Sequence, residues 1–280
     1  DLFAQNLPPE DWRHRTAEDG AAVLCALWNQ LTLSNPAQRF IGSLDAQLAS
    51  FNCRLNGSTL LVIQPDRPFL VDSLRLALTR LRLPIKLLKN AVFALQRDAA
   101  NHVTTLQGAA VKQSLIYIET KRLSEAEYQS LRADLTEVFD DIAVMVADYH
   151  TITEALDSLD KRLTYAPVEP AQVQDTQAFL HWLKAGHFTF LGLRIFHFKN
   201  TEQGACLEED DAARLGVFRR IEPSTDVQWS EGIAHFYSRQ DLIAFSKSST
   251  RCRVHRLVYP DYIVVKMFNA RGEVDGEMRI

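Results

Sequence analysis

The chain has 280 residues, of which 46% are hydrophobic and 24% are charged, a balance typical of a folded globular protein. Its formal net charge of -4 offers no general attraction for a phosphate backbone, so we expect no nucleic-acid partner. No stretch reaches the roughly 18 consecutive apolar residues that a membrane-spanning helix needs, and we expect no membrane association. The four cysteines form no CxxC pair, so we predict no metal site and a cytoplasmic location.

The first predicted elements are a helix, a strand and a second helix. Residues 17–33 place apolar side chains at the spacing of one helix face. The turn signal Asn56-Gly57-Ser58 precedes the apolar run 60–63, which is typical of a buried strand. Helical spacing follows directly, with Pro68 placed as a first-turn residue. This stretch therefore predicts a strand, a tight turn and a helix.

Two further strands and a long helix complete the first half. Residues 85–97 and 114–119 are compatible with an antiparallel pair of strands. Ser124 and Glu127 form a capping-box pattern at the start of a helix that extends through Leu163. The order strand, helix, strand, strand, helix supplies five of the six elements of a ferredoxin-like βαββαβ unit. The sixth element has no clear place in the sequence.

The two prolines in TYAPVEPAQ mark the best linker, so we predict three regions. These are an N-terminal helical segment over 1–40, a first domain over 41–165 and a second domain over 166–280. The second domain begins with a helix at 175–184, which Gly186 ends, and is then rich in strands. The predicted strands are 187–198, 242–249, 252–260 and 261–269. We expect an α+β protein whose last strand is cut short, and therefore a piece of a longer one.

One candidate site is the turn between the first long strand and its helix, Asp66 to Ser73. A helix N-terminus presents unpaired N–H groups and a partial positive charge, and can therefore hold a carboxylate such as that of a free amino acid. In the alternative interpretation Asp66 caps the helix, Pro68 starts it, and Asp72 and Ser73 are solvated or contact a neighbouring element.

A second candidate is the run Arg251-Cys252-Arg253-Val254-His255-Arg256. In a strand, alternation would place Arg251, Arg253 and His255 on one face. These cations would bind an anionic ligand, or they would pair with the acidic residues 208–211 or with a second subunit. Both interpretations remain open from the sequence.

Recognisable catalytic and cofactor motifs are absent from the sequence. It contains no GxGxxG after a strand, no P-loop, no GxSxG and no HExxH. The single histidines His181, His187 and His235 lack metal-ligand spacing and are interpreted as packing or surface residues. We predict no catalytic residue and no cofactor in this chain.

Several segments together carry a family resemblance. In chain order they are DRPFLVDS (66–73), LQRD (95–98), SLIYIE (114–119), FLHWLKAGHFTFLGLR (179–194), RVHR (253–256), DYIVVKMFN (261–269) and GEVDGEMR (272–279). They resemble the N-terminal region of the large bacterial NAD-specific glutamate dehydrogenases. In that family the region is described as ACT-like modules that precede a helical region and a distant catalytic domain.

The resemblance implies two ACT-like modules, which agrees with the order βαββα read from the residues. It implies a regulatory and assembly region of a homo-oligomer, with NAD bound only in the downstream catalytic domain. A free amino acid is the implied effector, and its candidate residues are Asp66, Arg67, Phe69, Asp72 and Ser73. The chain departs from the pattern at Phe69, where ACT modules usually have glycine, and at Lys89, Asn90 and Gln113. A purely structural oligomerisation scaffold is the alternative.

Overall fold

The computed structural model describes residues 15–35, 37–99, 102–105, 107–108, 111–201, 204–222, 227–228 and 231–280. Residues 1–14 of the predicted N-terminal helical segment (1–40) therefore lie outside the described residues. Its predicted helix is present as α1 (Ala17–Leu33), where Thr16 Oγ1 accepts a hydrogen bond from the Asp19 N–H at 3.1 Å. No helix within the described ranges combines the length and the apolar character needed to cross a membrane.

The chain forms two compact units. Unit 1 contains the residues up to Phe139 together with Arg253–Arg256, and unit 2 contains Asp140–Cys252 and Leu257–Ile280. The division between Phe139 and Asp140 falls inside the helix α4 (Glu125–Leu163), and the domain bounds predicted from the sequence stay a prediction. Leu135, Ile142, Leu156 and Leu163 are fully buried along this helix, so its apolar stripe continues on both sides of the division.

Unit 1 is built on a four-stranded antiparallel sheet with the strand order β1-β2-β6-β3. These strands are β1 (Phe40–Gly42), β2 (Ser58–Pro65), β3 (Leu87–Phe93) and β6 (Gln113–Thr120). A separate two-stranded hairpin joins β4 (Gln96–Arg97) to β5 (Val103–Thr105). The predicted antiparallel pair is confirmed, although the first of its strands is shorter than expected.

The unplaced sixth element has a structural counterpart in β1. This strand precedes the βαββα series in the chain, yet it pairs with the free side of β2. The backbone groups of β2 are thereby paired on both sides, which a central buried strand requires because unpaired N–H and C=O groups are costly away from water.

Both faces of the unit 1 sheet are buried. One face packs against α1 and α2 (Asp45–Ser50), in a cluster that includes Leu27, Leu48, Ile63 and Tyr117. The neighbouring side chains Leu60 and Val62 point to the opposite face of β2 and are also fully buried. An ion pair between Arg80 and Asp134 links α3 (Leu70–Arg80) to α4.

The predicted capping box begins α4. The Ser124 N–H donates to Glu127 Oε2 at 2.9 Å, and the Glu127 N–H donates to Ser124 Oγ at 3.3 Å. Lys121 Nζ lies 2.7 Å from Glu127 Oε1 and adds a charge to the same corner. Two orphan N–H groups of the first turn are satisfied in this way, which fixes the start of the helix.

Unit 2 contains a larger antiparallel sheet with the strand order β10-β8-β7-β13-β12-β11, and β9 pairs with β7 beside this path. Its strands are β7 (Gly192–Thr201), β8 (Gly204–Glu209), β9 (Leu215–Gly216), β10 (Val227–Gln228), β11 (Ile243–Lys247), β12 (Asp261–Phe268) and β13 (Val274–Arg279). Its helices besides α4 are α5 (Pro170–Trp182) and α6 (Glu231–Ser238), and short 3-10 turns span Asp211–Ala213 and Val217–Arg220. The predicted α+β class is confirmed.

The core of unit 2 lies on one face of this sheet. It joins the last turns of α4 to α5 and to the strands, through Leu159, Leu180, Val265 and Met278. After α5 the chain makes a wide π turn, Leu183–His187, in which Gly186 has a φ of 90°. The predicted strand 187–198 begins only at Gly192, because the turn extends to His187 and residues 188–191 are irregular.

The segment 252–260 was predicted to be a strand, and this prediction is wrong. The segment is a series of bends, and the Cys252 N–H donates to the Val258 carbonyl at 2.8 Å, which closes a loop. Arg251, Arg253, His255 and Arg256 consequently share no strand face. Alternating cations resemble a surface strand in the sequence, but here no neighbouring strand pairs with them among the described residues.

Candidate functional site at the β2–α3 turn

The β2–α3 turn (residues 66–69) follows a deeply buried strand of unit 1. Every residue of β2 from Ser58 to Gln64 is buried, and the chain reaches the surface at Asp66. The Asp66 N–H donates to the Lys112 carbonyl at 2.8 Å, which ties the turn to the residue before β6. Asp66 does not cap the helix, because the residue at the N-cap position of α3 is Phe69.

Arg67 carries a half-buried positive charge on this turn. Burial lowers the pKa of its guanidinium, and the charge of Arg39 lowers it further. Arg39 is held in place by Gln64, whose Oε1 accepts from Arg39 Nε at 2.8 Å, and by the carbonyl of Thr136 at 3.2 Å. Asp66, which is exposed, and Arg67, which is half-buried, are thus adjacent residues of opposite charge on this turn.

Phe69 adopts a left-handed backbone conformation, with φ 69° and ψ −1°. For a residue with a side chain this conformation costs about 1–2 kcal/mol, whereas glycine adopts it freely. This observation explains why glycine suits the position and why the predicted helix begins later than expected. Pro68 lies two residues before α3, because the left-handed residue separates it from Leu70.

The segment Arg253–Arg256, which we call the covering segment, belongs to unit 1 and lies on this turn. Val254 is 3% exposed and anchors it. The Arg256 N–H donates to the Val254 carbonyl at 2.7 Å, so the chain reverses tightly around His255, whose φ is 62°. Both the turn and the segment that covers it therefore contain a non-glycine residue in a left-handed conformation.

His255 makes three contacts with the start of α3. Its backbone N–H donates to Ser73 Oγ at 2.9 Å, and Ser73 is fully buried. Its ring lies 5.2 Å from the ring of Phe69, centroid to centroid, at an angle of 54°. Its Nδ1 lies 3.6 Å from Asp72 Oδ2, but the Asp72 side chain is 61% exposed, so solvent weakens this pairing.

The structure thus brings together parts of the two candidate sites. Phe69, Asp72 and Ser73 meet His255 within unit 1. Asp66 and Arg67 remain at the open end of the same turn. Arg251 belongs to unit 2, where its guanidinium lies 5.2 Å from the centroid of the Tyr259 ring. The residues 251–256 do not form a strand that would carry their cations on one face. Of these residues, His255 contacts the β2–α3 turn.

Sequence reasoning missed a layer of charged side chains in unit 2. Lys266 is 3% exposed, donates to the Arg239 carbonyl at 2.7 Å and lies 4.6 Å from the centroid of the Phe236 ring. Glu277 is 2% exposed and forms an ion pair with Arg279.

The same carboxylate accepts from the hydroxyl of Tyr237 at 2.5 Å, and burial, followed by the charge of Glu277, raises the pKa of that tyrosine. The signal in the sequence was charged residues that alternate with core residues along two strands: Lys266 lies between Val265 and Met267, and Glu277 and Arg279 flank Met278. Because these charges pair with one another and with aromatic rings, we interpret the layer as structural. Among the described residues, no group of three His, Cys, Asp or Glu side chains is arranged to hold a metal ion.

The fold of unit 1 agrees with a comparison against known protein families. Residues 1–135 match the family described as "Glutamate dehydrogenase, ACT1 domain", and the match ends close to Phe139, where the first of the two segments of unit 1 ends. This part of the chain is therefore an ACT domain of the glutamate dehydrogenase type. The resemblance inferred from the motifs is confirmed.

Whole-chain relatives give the second step of the identification. The chain is 28% identical over 293 residues to the NAD-specific glutamate dehydrogenase of Halomonas elongata, an alignment that covers 99% of this chain and 18% of the relative. It is 33% identical over 232 residues to the NAD-specific glutamate dehydrogenase of Pseudomonas aeruginosa, covering 78% of this chain and 14% of the relative. The chain thus spans less than a fifth of the length of these relatives.

Proposed function

We propose that this chain is the non-catalytic regulatory and assembly region of a cytoplasmic NAD-dependent glutamate dehydrogenase. The parent reaction would convert L-glutamate, NAD and water to 2-oxoglutarate, ammonia and NADH, with NAD bound in a catalytic domain outside these 280 residues. The observation that carries the proposal is the similarity to the enzyme of Halomonas elongata. The alignment covers 99% of this chain but only 18% of that enzyme. By itself the chain is expected to be inactive.

The regulatory part of the proposal rests on the β2–α3 turn. A free amino acid carries an ammonium and a carboxylate, and Asp66 and Arg67 offer the complementary charges on adjacent residues. The free N–H groups of the first turn of α3 favour a carboxylate as well. Phe69, Asp72 and Ser73 are the other candidate contacts, and all three are covered by His255. An effector would therefore bind at Asp66 and Arg67 and displace His255 to reach the others.

A second function, a purely structural scaffold for assembly, is favoured by one observation. The Ser73 hydroxyl, which an effector would use, already accepts the backbone N–H of His255. In a scaffold this contact would be permanent, and the turn would serve only to fix the covering segment. The two functions differ in whether any small molecule binds the native chain.

Thermal unfolding of the 280-residue chain against a panel of free amino acids, 2-oxoglutarate and NAD separates these functions. A ligand that binds only the native state stabilises it by about 2.7 kcal/mol at a hundredfold excess over the dissociation constant. We expect one amino acid to raise the melting temperature. Asp66→Ala should abolish the shift, and the matched change Asp98→Ala, on the loop of the β4–β5 hairpin, should leave it intact.

The same amino acid should then alter glutamate-dependent NAD reduction by the parent enzyme, because control requires different affinities for two states of the enzyme. Asp66→Ala should remove this response and leave the activity without effector unchanged. If no compound shifts the melting of the chain at millimolar concentration, the scaffold is the better description. Glutamate-dependent NAD reduction by the 280-residue chain alone would contradict both functions.

A further inference from the structure

The outer strand β11 of unit 2 presents a free edge. It pairs with β12 on one side and has no neighbour on its other side among the described strands. The hydrogen bonds of an antiparallel pair alternate along the strand. The Lys266 N–H donates to the Leu242 carbonyl, and the Ser248 N–H donates to the Pro260 carbonyl. Even-numbered residues of β11 therefore face β12, and the backbone groups of Ile243, Phe245 and Lys247 point away from the sheet.

This edge lacks the features that usually protect a sheet edge from pairing. Its register with β12 is regular, it contains no proline, and its one charged residue, Lys247, lies at the end. By contrast, the edge strand β10 has only two residues, and the edge strand β3 of unit 1 carries Lys89 near its middle. An edge of this kind pairs readily with another strand.

An aromatic surface adjoins the free edge. Phe245 is 65% exposed, and its ring meets the ring of Phe179 on α5 edge to face, at 5.5 Å between centroids. Trp182, 48% exposed, stacks on Phe179 at 6.0 Å between ring centroids. An open groove of about 290 Å³ runs between α5 and β11, and Asp175 and Asp241 contribute carboxylates to it. The surface is therefore apolar, with negative charge in the groove.

We propose that β11 pairs with β11 of a second copy of this chain, antiparallel and centred on Phe245. A two-fold axis at Phe245 would place this residue opposite its own copy and Ile243 opposite Lys247 of the partner copy. About six backbone hydrogen bonds would form, because the residues with outward backbone groups on one strand meet those on the other. This proposal rests on the assembly role proposed above and gives that role a surface.

The side chains of β11 complement each other in this register. Outward residues share one face of the strand, so the two Phe245 rings would lie side by side next to the Phe179 and Trp182 surface of each copy. Lys247 of one copy would lie diagonally opposite Asp241 of the other, where its charge meets the negative groove. Within a single copy Lys247 already pairs with Asp261, and Asp241 pairs with Arg239. Both ion pairs are exposed, so replacing them by a pair between copies costs little free energy.

Sedimentation velocity of the 280-residue chain tests the proposal with the variant Phe245→Pro. Proline removes an N–H that makes no bond within the copy's own sheet, so the fold is expected to survive while the pairing between copies is lost. We expect the native chain to be dimeric at roughly 100 μM, where a micromolar dimer is nearly complete. The Phe245→Pro variant should be monomeric, and Phe51→Ala, which removes a comparably exposed aromatic residue in unit 1, should remain dimeric.

Phe245→Lys keeps the test decisive if the proline variant fails to fold. It leaves the backbone intact and places two like charges opposite each other across the axis, so it should also yield monomers. In hydrogen exchange, the Phe245 amide of the native chain should become more protected as concentration rises. A native chain that stays monomeric at the highest concentration overturns the proposal, and so does a dimer that neither substitution of Phe245 weakens. The amino-acid response at Asp66 lies in the other unit and is measured separately, so either proposal can fail alone.

Discussion

The contact between Ser73 and the covering segment makes a quantitative prediction. Ser73→Ala removes the acceptor of the His255 N–H, a bond of 2.9 Å to a fully buried side chain. A neutral hydrogen bond of this kind contributes about 1 kcal/mol, within a range of about 0.5–1.5 kcal/mol. The substitution also leaves the N–H of His255 without a partner unless the covering segment moves away to reach water. We therefore expect the covering segment to open more often.

Residue-resolved hydrogen exchange is the assay for this prediction. The protection of the His255 amide should fall by about fivefold, which corresponds to roughly 1 kcal/mol. The melting temperature of unit 1 should fall by about 3 °C. Ser50→Ala is the matched control, because the hydroxyl of Ser50 is exposed and donates only to the Gln47 carbonyl. Unchanged protection of the His255 amide in Ser73→Ala would refute the claim that this bond holds the covering segment.

Three further predictions concern the backbone, the helix cap and the charged layer. Phe69→Gly should be more stable than Phe69→Ala by about 1 kcal/mol in denaturant unfolding, because only glycine relieves the left-handed strain, and equal stabilities would contradict this account. Hydrogen bonds from Lys121 and Ser124 lower the pKa of Glu127 to about 2. The ionised carboxylate therefore stabilises the fold above pH 4.5, and this contribution to the free energy of unfolding is lost as the pH falls towards 2. Glu127→Gln should make the fall in stability over this interval less steep. Glu277→Leu should destabilise unit 2 by about 3–5 kcal/mol in calorimetry, because it leaves the charge of Arg279 buried without its partner, and a near-neutral effect would show that the pair is dispensable.

Local patterns in the sequence predicted the elements whose stability is local. The capping box of Ser124 and Glu127 is a contact between residues three apart, and it is present as expected. The apolar spacing of α1 and the run 60–63 likewise reflect the period of one helix face or one buried strand. These features could be predicted because each residue's partner lies nearby in the chain.

The covering segment could not be predicted for the opposite reason. Its hydrogen bond to Ser73 joins residues 182 positions apart, and no local signal announces such a pairing. The alternation of cations and apolar residues in RCRVHR suits a strand, yet the tight reversal at His255 and the bond from Cys252 to Val258 exclude that conformation. Both candidate sites were visible as unusual sequence, but their proximity was not.

The left-handed residues at Phe69 and His255 connect the fold to the proposed regulation. Each costs about 1–2 kcal/mol and persists only where the surrounding contacts offset that cost. Here the two rings contact each other, so the contact that offsets the strain is made by the two strained residues themselves. Displacement of His255 would remove this contact and allow both residues to leave the left-handed conformation. The covering segment should therefore open at a lower free-energy cost than a segment held without backbone strain. An effector that binds at Asp66 and Arg67 would then need only a modest difference in affinity between the closed and open states to shift the covering segment.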